Sequence, residues 1–140
     1  MRLDLYQAET ARIAAAQSAL LAQAREILSQ GRMLNALEQS GVLHALQVLI
    51  ENAIGKSKQI LKARSEPVPV SAYDAFEVMV RCGEIEQKDL PGWNAVIGLR
   101  NRIVHDYMNI DMSKVIEFIR SGKEEFVTQF LLKAIMDSES

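Results

Sequence analysis

Apolar side chains recur at helical spacing along most of this chain, and no stretch sustains the period-two alternation of a half-buried strand. The pattern restricts the fold to packed helices. Between Arg2 and about Ser29, Leu5, Ala8, Ile13, Ala16, Leu20, Ala24, Ile27 and Leu28 mark one long amphipathic helix that breaks at Gly31, and the run Ala14-Ala15-Ala16 permits close approach of a neighbour. A second long helix, from about Asn35 to Arg64, carries Leu43, Leu46, Ile50, Ala53, Ile54, Ile60 and Leu61 on one stripe and turns Glu51, Lys58 and Lys62 toward water. Pro67 and Pro69 remove donors and end it. Ser71 caps a short helix from Ala72 to Arg81, with Ala72, Ala75, Phe76, Met79 and Val80 inward and Gly83 as its stop. Asp89 ahead of Leu90-Pro91 starts a fourth helix that runs to near Tyr107. Asn109-Ile110-Asp111 then reads as a turn and N-cap before a fifth helix, about Met112 to Met136, that continues through Gly122. The expected architecture is all-α: an up-and-down bundle of four main helices plus a short one.

With 140 residues, 49% of them hydrophobic and only three prolines, the chain fits one domain, residues 1–140, and is not a linker-rich assembly. The single Cys82 has no disulfide partner and reads as a small buried hydrophobe. The charged N-terminal segment Met1–Gln7 is unlike a signal peptide, and no stretch of about 20 residues is free of polar groups, so a soluble, cytoplasmic protein with no membrane contact is expected. Sixteen basic against 18 acidic side chains give a net charge of −2, so contact with a polyanion must come from a local cluster. Arg100, Arg102, Lys56 and Lys58 are candidate phosphate contacts.

The chemistry-bearing stretch is Arg100-Asn101-Arg102-Ile103-Val104-His105-Asp106-Tyr107, which gathers a guanidinium, a carboxamide, an imidazole and a phenol in a chain with two histidines. At about 100° per residue, Arg100 and Tyr107 share one stripe of a helix and Asn101 and His105 another, while His105 lies about 140° around from Arg100. Either the helix distorts near its end or these groups meet those of a second chain across a two-fold axis. Such a groove suits cleavage of RNA without a metal. An imidazole moves protons near neutrality, an arginine fork holds phosphate, Asn101 can orient either, and Arg102 adds a second cation. No carboxylate–histidine cluster stands at metal-ligand spacing, so neither metal nor cofactor is expected. The same residues also fit a purely structural role, binding the orphan carbonyls at a helix C-terminus. His44 reads as structural, and Trp93, Phe126 and Phe130 read as core.

The octapeptide resembles the signature of the HEPN superfamily, Arg-x4-His, here Arg100 and His105, and its extension to Tyr107 is similar to the Arg-x4-His-x-Tyr form of HepT-type toxins, which are encoded beside minimal nucleotidyltransferase (MNT) antitoxins. The order of helices, the segment from Ala45 to Glu51 and the Leu99–Tyr107 run extend the likeness over almost the whole chain. The resemblance implies an all-α bundle that forms a homodimer, with Arg100 and His105 of both copies composing a ribonuclease site in the cleft between them. It also implies an MNT-type antitoxin that uses ATP to attach AMP to Tyr107, and larger closed assemblies with that partner. On the stripe shared with Arg100, an AMP group would neutralise and cover the cation. A phenol, ordinarily titrating near 10, is poorly matched to proton transfer at neutral pH, so Tyr107 is the regulatory acceptor rather than a catalytic acid. Two other readings stay open: a non-catalytic HEPN module that binds nucleotide or the nucleotidyltransferase, and a structural partner of another protein.

Overall fold

The computed structural model describes residues 2–135. Its helices are α1 (Leu3–Ser29), α2 (Ala36–Ala63), α3 (Ala72–Arg81), α4 (Leu90–His105), α5 (Met112–Arg120) and α6 (Glu125–Leu132), and no strand occurs among the described residues. The capping chemistry sets most boundaries. Asn35 accepts from the Glu38 amide while the Glu38 carboxylate accepts from the Asn35 amide, a reciprocal pair that starts α2. Ser71 accepts from the Asp74 amide at the start of α3. Asp111 accepts from the Ser113 amide and begins α5. Gly31 and Gly83, at φ +84° and +78°, end α1 and α3 in the left-handed region that glycine tolerates.

The expected fifth helix is two helices. Gly122 sits at φ +70°, which an α-helix cannot pass through, so α5 stops at Arg120 and α6 restarts at Glu125. The second of them ends at Leu132, and Met136 lies outside the described residues. The four-helix-plus-one expectation therefore becomes six helices in the same all-α architecture.

The centre of the packing is α2, which touches α1, α3, α4 and α6. Every residue of its expected stripe is buried, and so are Val42, Ala45 and Leu49, because neighbours cover it from several directions. Against it and α6 lies α1, through a face that keeps the Ala24, Ile27 and Leu28 end of the expected stripe but departs from it earlier in the helix. Leu5 and Leu20 are 60% and 46% exposed, and Ala8 and Ala16 are exposed too, whereas Thr10, Ala14, Leu21 and Ala24 are buried. Small side chains at Ala14 and Ala24 let the helices approach closely, and that closeness outweighs the larger apolar surface of Leu20. Trp93 stacks on Phe76 with ring centroids 4.4 Å apart and meets Phe126 and Phe130 edge-on at 4.9 and 5.0 Å, so these aromatics are core as expected.

Two charges are buried in this core. Glu124, brought inward by the Gly122 break, pairs with the Arg25 guanidinium. Burial pushes its carboxyl upward and Arg25 opposes that shift. Lys56 is also buried; its ammonium donates to the backbone carbonyls of Phe130 (2.7 Å), Leu131 (3.4 Å) and Lys133, capping the end of α6, and lies 5.1 Å from the Phe130 ring centroid. That correction removes Lys56 from the candidate phosphate contacts. Lys58 is half-buried and donates to the Val70 carbonyl at 2.8 Å, which ties it to the loop before α3 rather than leaving it free for a phosphate.

Replacing Arg25 with methionine strands a buried carboxylate and should cost about 2–3 kcal/mol in urea unfolding, discounted for the partial exposure of the arginine. Adding Glu124→Leu should recover most of that loss; a single-variant cost below about 0.5 kcal/mol would make the pair a surface contact. For Lys56, burial and, to a lesser degree, the charge of Lys133 pull the pKa down to about 8. The folded value lies below the ordinary lysine value of about 10.4, so between the two the unfolded chain binds more protons and this site's contribution to stability rises with pH. The melting temperature of the parent relative to Lys56→Met should therefore increase from pH 8 to pH 10.

Candidate functional site

At Asp106, φ −143° and ψ 39°, the backbone leaves the helical region, so α4 ends at His105 and Tyr107 opens a 3₁₀ turn, Tyr107–Asn109. The Asn109 amide donates to the Asp106 carboxylate at 2.8 Å and braces that turn. The expected stripe shared by Arg100 and Tyr107 is therefore broken, since Tyr107 is no longer on the helix. Another relation replaces it. The Tyr107 hydroxyl donates to Ser40 Oγ at 3.3 Å, while Arg100 Nη1 stands 4.0 Å from Glu51 Oε2. The later residue of α4's segment thus meets the earlier residue of α2: the two helices run antiparallel, and both side chains border one face of α2.

That face is the open stripe of the central helix. Leu37, Ser40, His44, Glu51 and Lys62 are exposed, and their spacing puts them within one narrow sector of α2. His44 is thus a surface residue rather than a histidine held in the core. Apolar groups surround the polar ones, with Leu37 82%, Met108 89% and Val104 41% exposed.

Within this setting Arg100 is unusual. Its side chain is only 22% exposed, its Nε is buried with no acceptor, and its one carboxylate neighbour, Glu51, sits at the 4.0 Å limit of an ion pair. A buried donor without a partner is costly, of the order of 1–3 kcal/mol; the Nη groups, with Glu51 at 4.0 Å, are the part of the guanidinium left to take an anion. Asn101 is half-buried and His105 and Arg102 are exposed; none of the three makes a side-chain hydrogen bond or ion pair among the described residues. The structure does not bring Arg100 and His105 onto one face of α4, in keeping with the 140° between them. Arg102 points into a separate cleft against α5. Ser40, His44 and Glu51 were not recognised in the sequence as neighbours of the motif. Their spacing on α2 was readable, but not which helix would lie beside them.

Among the described residues no group of three or more His, Cys, Asp or Glu side chains could hold a metal ion, and no helix is long and apolar enough to cross a membrane. Burial first, and then the Glu66 carboxylate, push the Cys82 thiol pKa upward, away from the thiolate a nucleophile needs.

The family described as ribonuclease HepT-like matches residues 15–132. This chain belongs to that family. It is 27% identical to the mRNA nuclease HepT of Shewanella oneidensis over 88 residues, 63% of this chain and 66% of that one, so the match falls just short of two thirds of the relative's length. An Archaeoglobus fulgidus protein provisionally named an RNase is 32% identical over 108 residues, 77% of each chain. The fold is shared with solved structures. A tri-AMPylated Shewanella oneidensis HEPN toxin in complex with its MNT antitoxin superposes with a TM-score of 0.72 at 22% identity, covering 87% of this chain and 92% of that one. A toxin–antitoxin structure with AMP-PNP gives 0.64 at 20% identity, covering 85% and 97%. The HepT-like, all-α expectation is thereby met.

The bond from Tyr107 to Ser40 is exposed and joins two neutral hydroxyls, so it contributes little. Tyr107→Phe should unfold within about 0.5 kcal/mol of the parent in chemical denaturation. A loss above about 1.5 kcal/mol would assign the phenol a structural role.

Proposed function

We propose that this chain is a single HEPN domain, residues 1–140, and the toxin of a toxin–antitoxin pair that cuts RNA without a metal ion at a composite site in a homodimer cleft. The observation that carries the reading is Arg100, a guanidinium whose Nη1 has Glu51 only at 4.0 Å, beside an open face of polar and apolar groups. A second copy packed on Leu37, Val104 and Met108 would cover apolar surface and set its own His105 near the first copy's Arg100. The substrate class, messenger RNA, is taken from the name of the Shewanella relative.

In the proposed site a neutral His105 imidazole accepts the proton of a ribose 2′-hydroxyl as that oxygen attacks the adjacent phosphorus. The partner copy's imidazolium gives a proton to the departing 5′-oxygen. The ends produced are a 2′,3′-cyclic phosphate and a 5′-hydroxyl. Arg100 forks onto the non-bridging oxygens, where charge builds up in the transition state, and Glu51 keeps the guanidinium in place without saturating it. Asn101 orients imidazole or phosphate, and Arg102 is a further phosphate contact. All these groups come from the chain itself, so the reaction needs no cofactor, and the cytoplasm is the compartment where it meets RNA.

Control falls to Tyr107. Its hydroxyl is at the edge of the Arg100 face and its ring is 45% exposed, within reach of a partner enzyme. An MNT-type antitoxin that transfers AMP from ATP onto this oxygen, releasing pyrophosphate, puts a charged nucleotide on the face where RNA should lie and blocks access to the cation.

The test is cleavage of total cellular RNA by the purified chain in EDTA, with analysis of the product ends. The parent should cut and leave cyclic phosphates; His105→Ala should lose at least about 100-fold in rate while keeping its oligomeric state. Equal cutting by both would place the activity elsewhere. Tyr107→Phe should cut like the parent and resist silencing by antitoxin and ATP, and a loss of cutting would instead make the phenol part of the chemistry.

A further inference from the structure

Behind the motif, between the end of α4 and α5, lies a cleft of about 570 Å³, a size that suits a small ligand. Leu99, Val115 and Phe118 form its apolar wall, and three cations, Arg102, Lys114 and Lys123, stand around it. Three acidic groups line it as well, yet each is held by its own segment. Asp106 accepts from Asn109, Asp111 caps α5 through Ser113, and Glu117 accepts from Ser121 and pairs with Arg120 at 3.6 Å. The cations are not so engaged: among the described residues none of the three makes a hydrogen bond or an ion pair, although Asp111 feels the charge of Lys114. The cleft thus offers an apolar surface with an aromatic ring, rimmed by three cations whose side chains have no direct partner among the described residues and by three carboxylates turned to donors of their own segments.

We infer that this cleft binds a nucleoside monophosphate, with the base against Leu99 and Phe118 and the phosphate among Arg102, Lys114 and Lys123. A base has a π-face for the aromatic wall, and a phosphate takes several cationic donors at once. Simple anions lack the first feature and apolar molecules the second. Two sources carry this chemistry: a nucleotide of an RNA chain lying along the end of α4, or a free mononucleotide, with Asn109 of the Tyr107–Asn109 turn at the rim. Only the choice of source rests on the ribonuclease reading; the site itself does not.

The experiment is an amide NMR titration of the His105→Ala chain with AMP, adenosine and inorganic phosphate. AMP should move the signals of Leu99, Asn109, Lys114 and Phe118 and saturate in the sub-millimolar range, at least tenfold more tightly than adenosine or phosphate. Lys114→Ala with Lys123→Ala, two exposed positions, should weaken AMP at least tenfold with the folded spectrum retained. No movement at these amides, or equal affinity in the double variant, or phosphate binding as well as AMP, would overturn the assignment. Displacement of AMP by a short single-stranded RNA identifies the RNA nucleotide as the source. AMP that the RNA does not displace identifies a free mononucleotide as the source; neither result overturns the proposal. AMP binding in the cleft while the parent chain cuts no RNA would sink the ribonuclease reading alone, and His105-dependent cutting by the parent without AMP in the cleft would sink this one alone.

Discussion

Everything in this molecule is arranged around the burial of α2. Neighbouring helices cover it so fully that its exposed residues are confined to one sector, including Ser40, His44 and Glu51. A helix surrounded in this way loses its amphipathic contrast, since Val42, Ala45 and Leu49 are as buried as the stripe its periodicity marks. What stays open is set by where α4 lies. Because α4 runs antiparallel along the edge of that sector, Arg100 and Tyr107 border it at two points, opposite Glu51 and Ser40.

The same burial explains the interior charges. The carbonyls of Phe130, Leu131 and Lys133 at the end of α6 accept from the Lys56 ammonium of α2, which supplies donors the helix end itself lacks. An apolar side chain there would take this donor from Phe130 and Lys133, while Leu131 would keep the Gln7 side-chain amide at 2.9 Å. Likewise the turn at Gly122 carries the Glu124 carboxylate inward, and Arg25 of α1 meets it. Both contacts fasten α6 to the long helices through groups that tolerate only one placement, a directional constraint that apolar packing alone does not provide.

How far these features could be read beforehand depends on whether they are local. The Ser71 cap, the glycine stops at Gly31 and Gly83 and the proline-broken loop after α2 involve residues a few positions apart, and each lies where the sequence puts it; the capping pair of Asn35 and Glu38 is equally local and fixes a start that periodicity leaves only approximate. The active face of α1 was not local: Leu20 and Leu21 are neighbours with opposite fates, decided by how closely α2 and α6 approach. Lys56 looked like surface charge because its partners are 74 to 77 residues away. The motif itself was legible as chemistry, and its family as a resemblance, but the face that Arg100 and Tyr107 share with α2 depends on tertiary packing that no spacing rule conveys.

The break between His105 and Tyr107 separates two roles that a continuous helix would have merged. Arg100 and His105 are fixed by the same rigid rod about 140° apart, a separation that one copy cannot close without unwinding and that two copies related by a two-fold axis can. In the proposed dimer that rigidity is an advantage, since the catalytic groups need no reordering when RNA arrives. Tyr107 sits beyond the rod, on a 3₁₀ turn held by Asp106 and Asn109 and by one exposed hydroxyl contact. A modifying enzyme can therefore draw the phenol away from Ser40 at little energetic cost and without disturbing α4. In the proposed scheme regulation acts on access to the site, while the geometry assigned to cleavage stays intact beneath the blocking group.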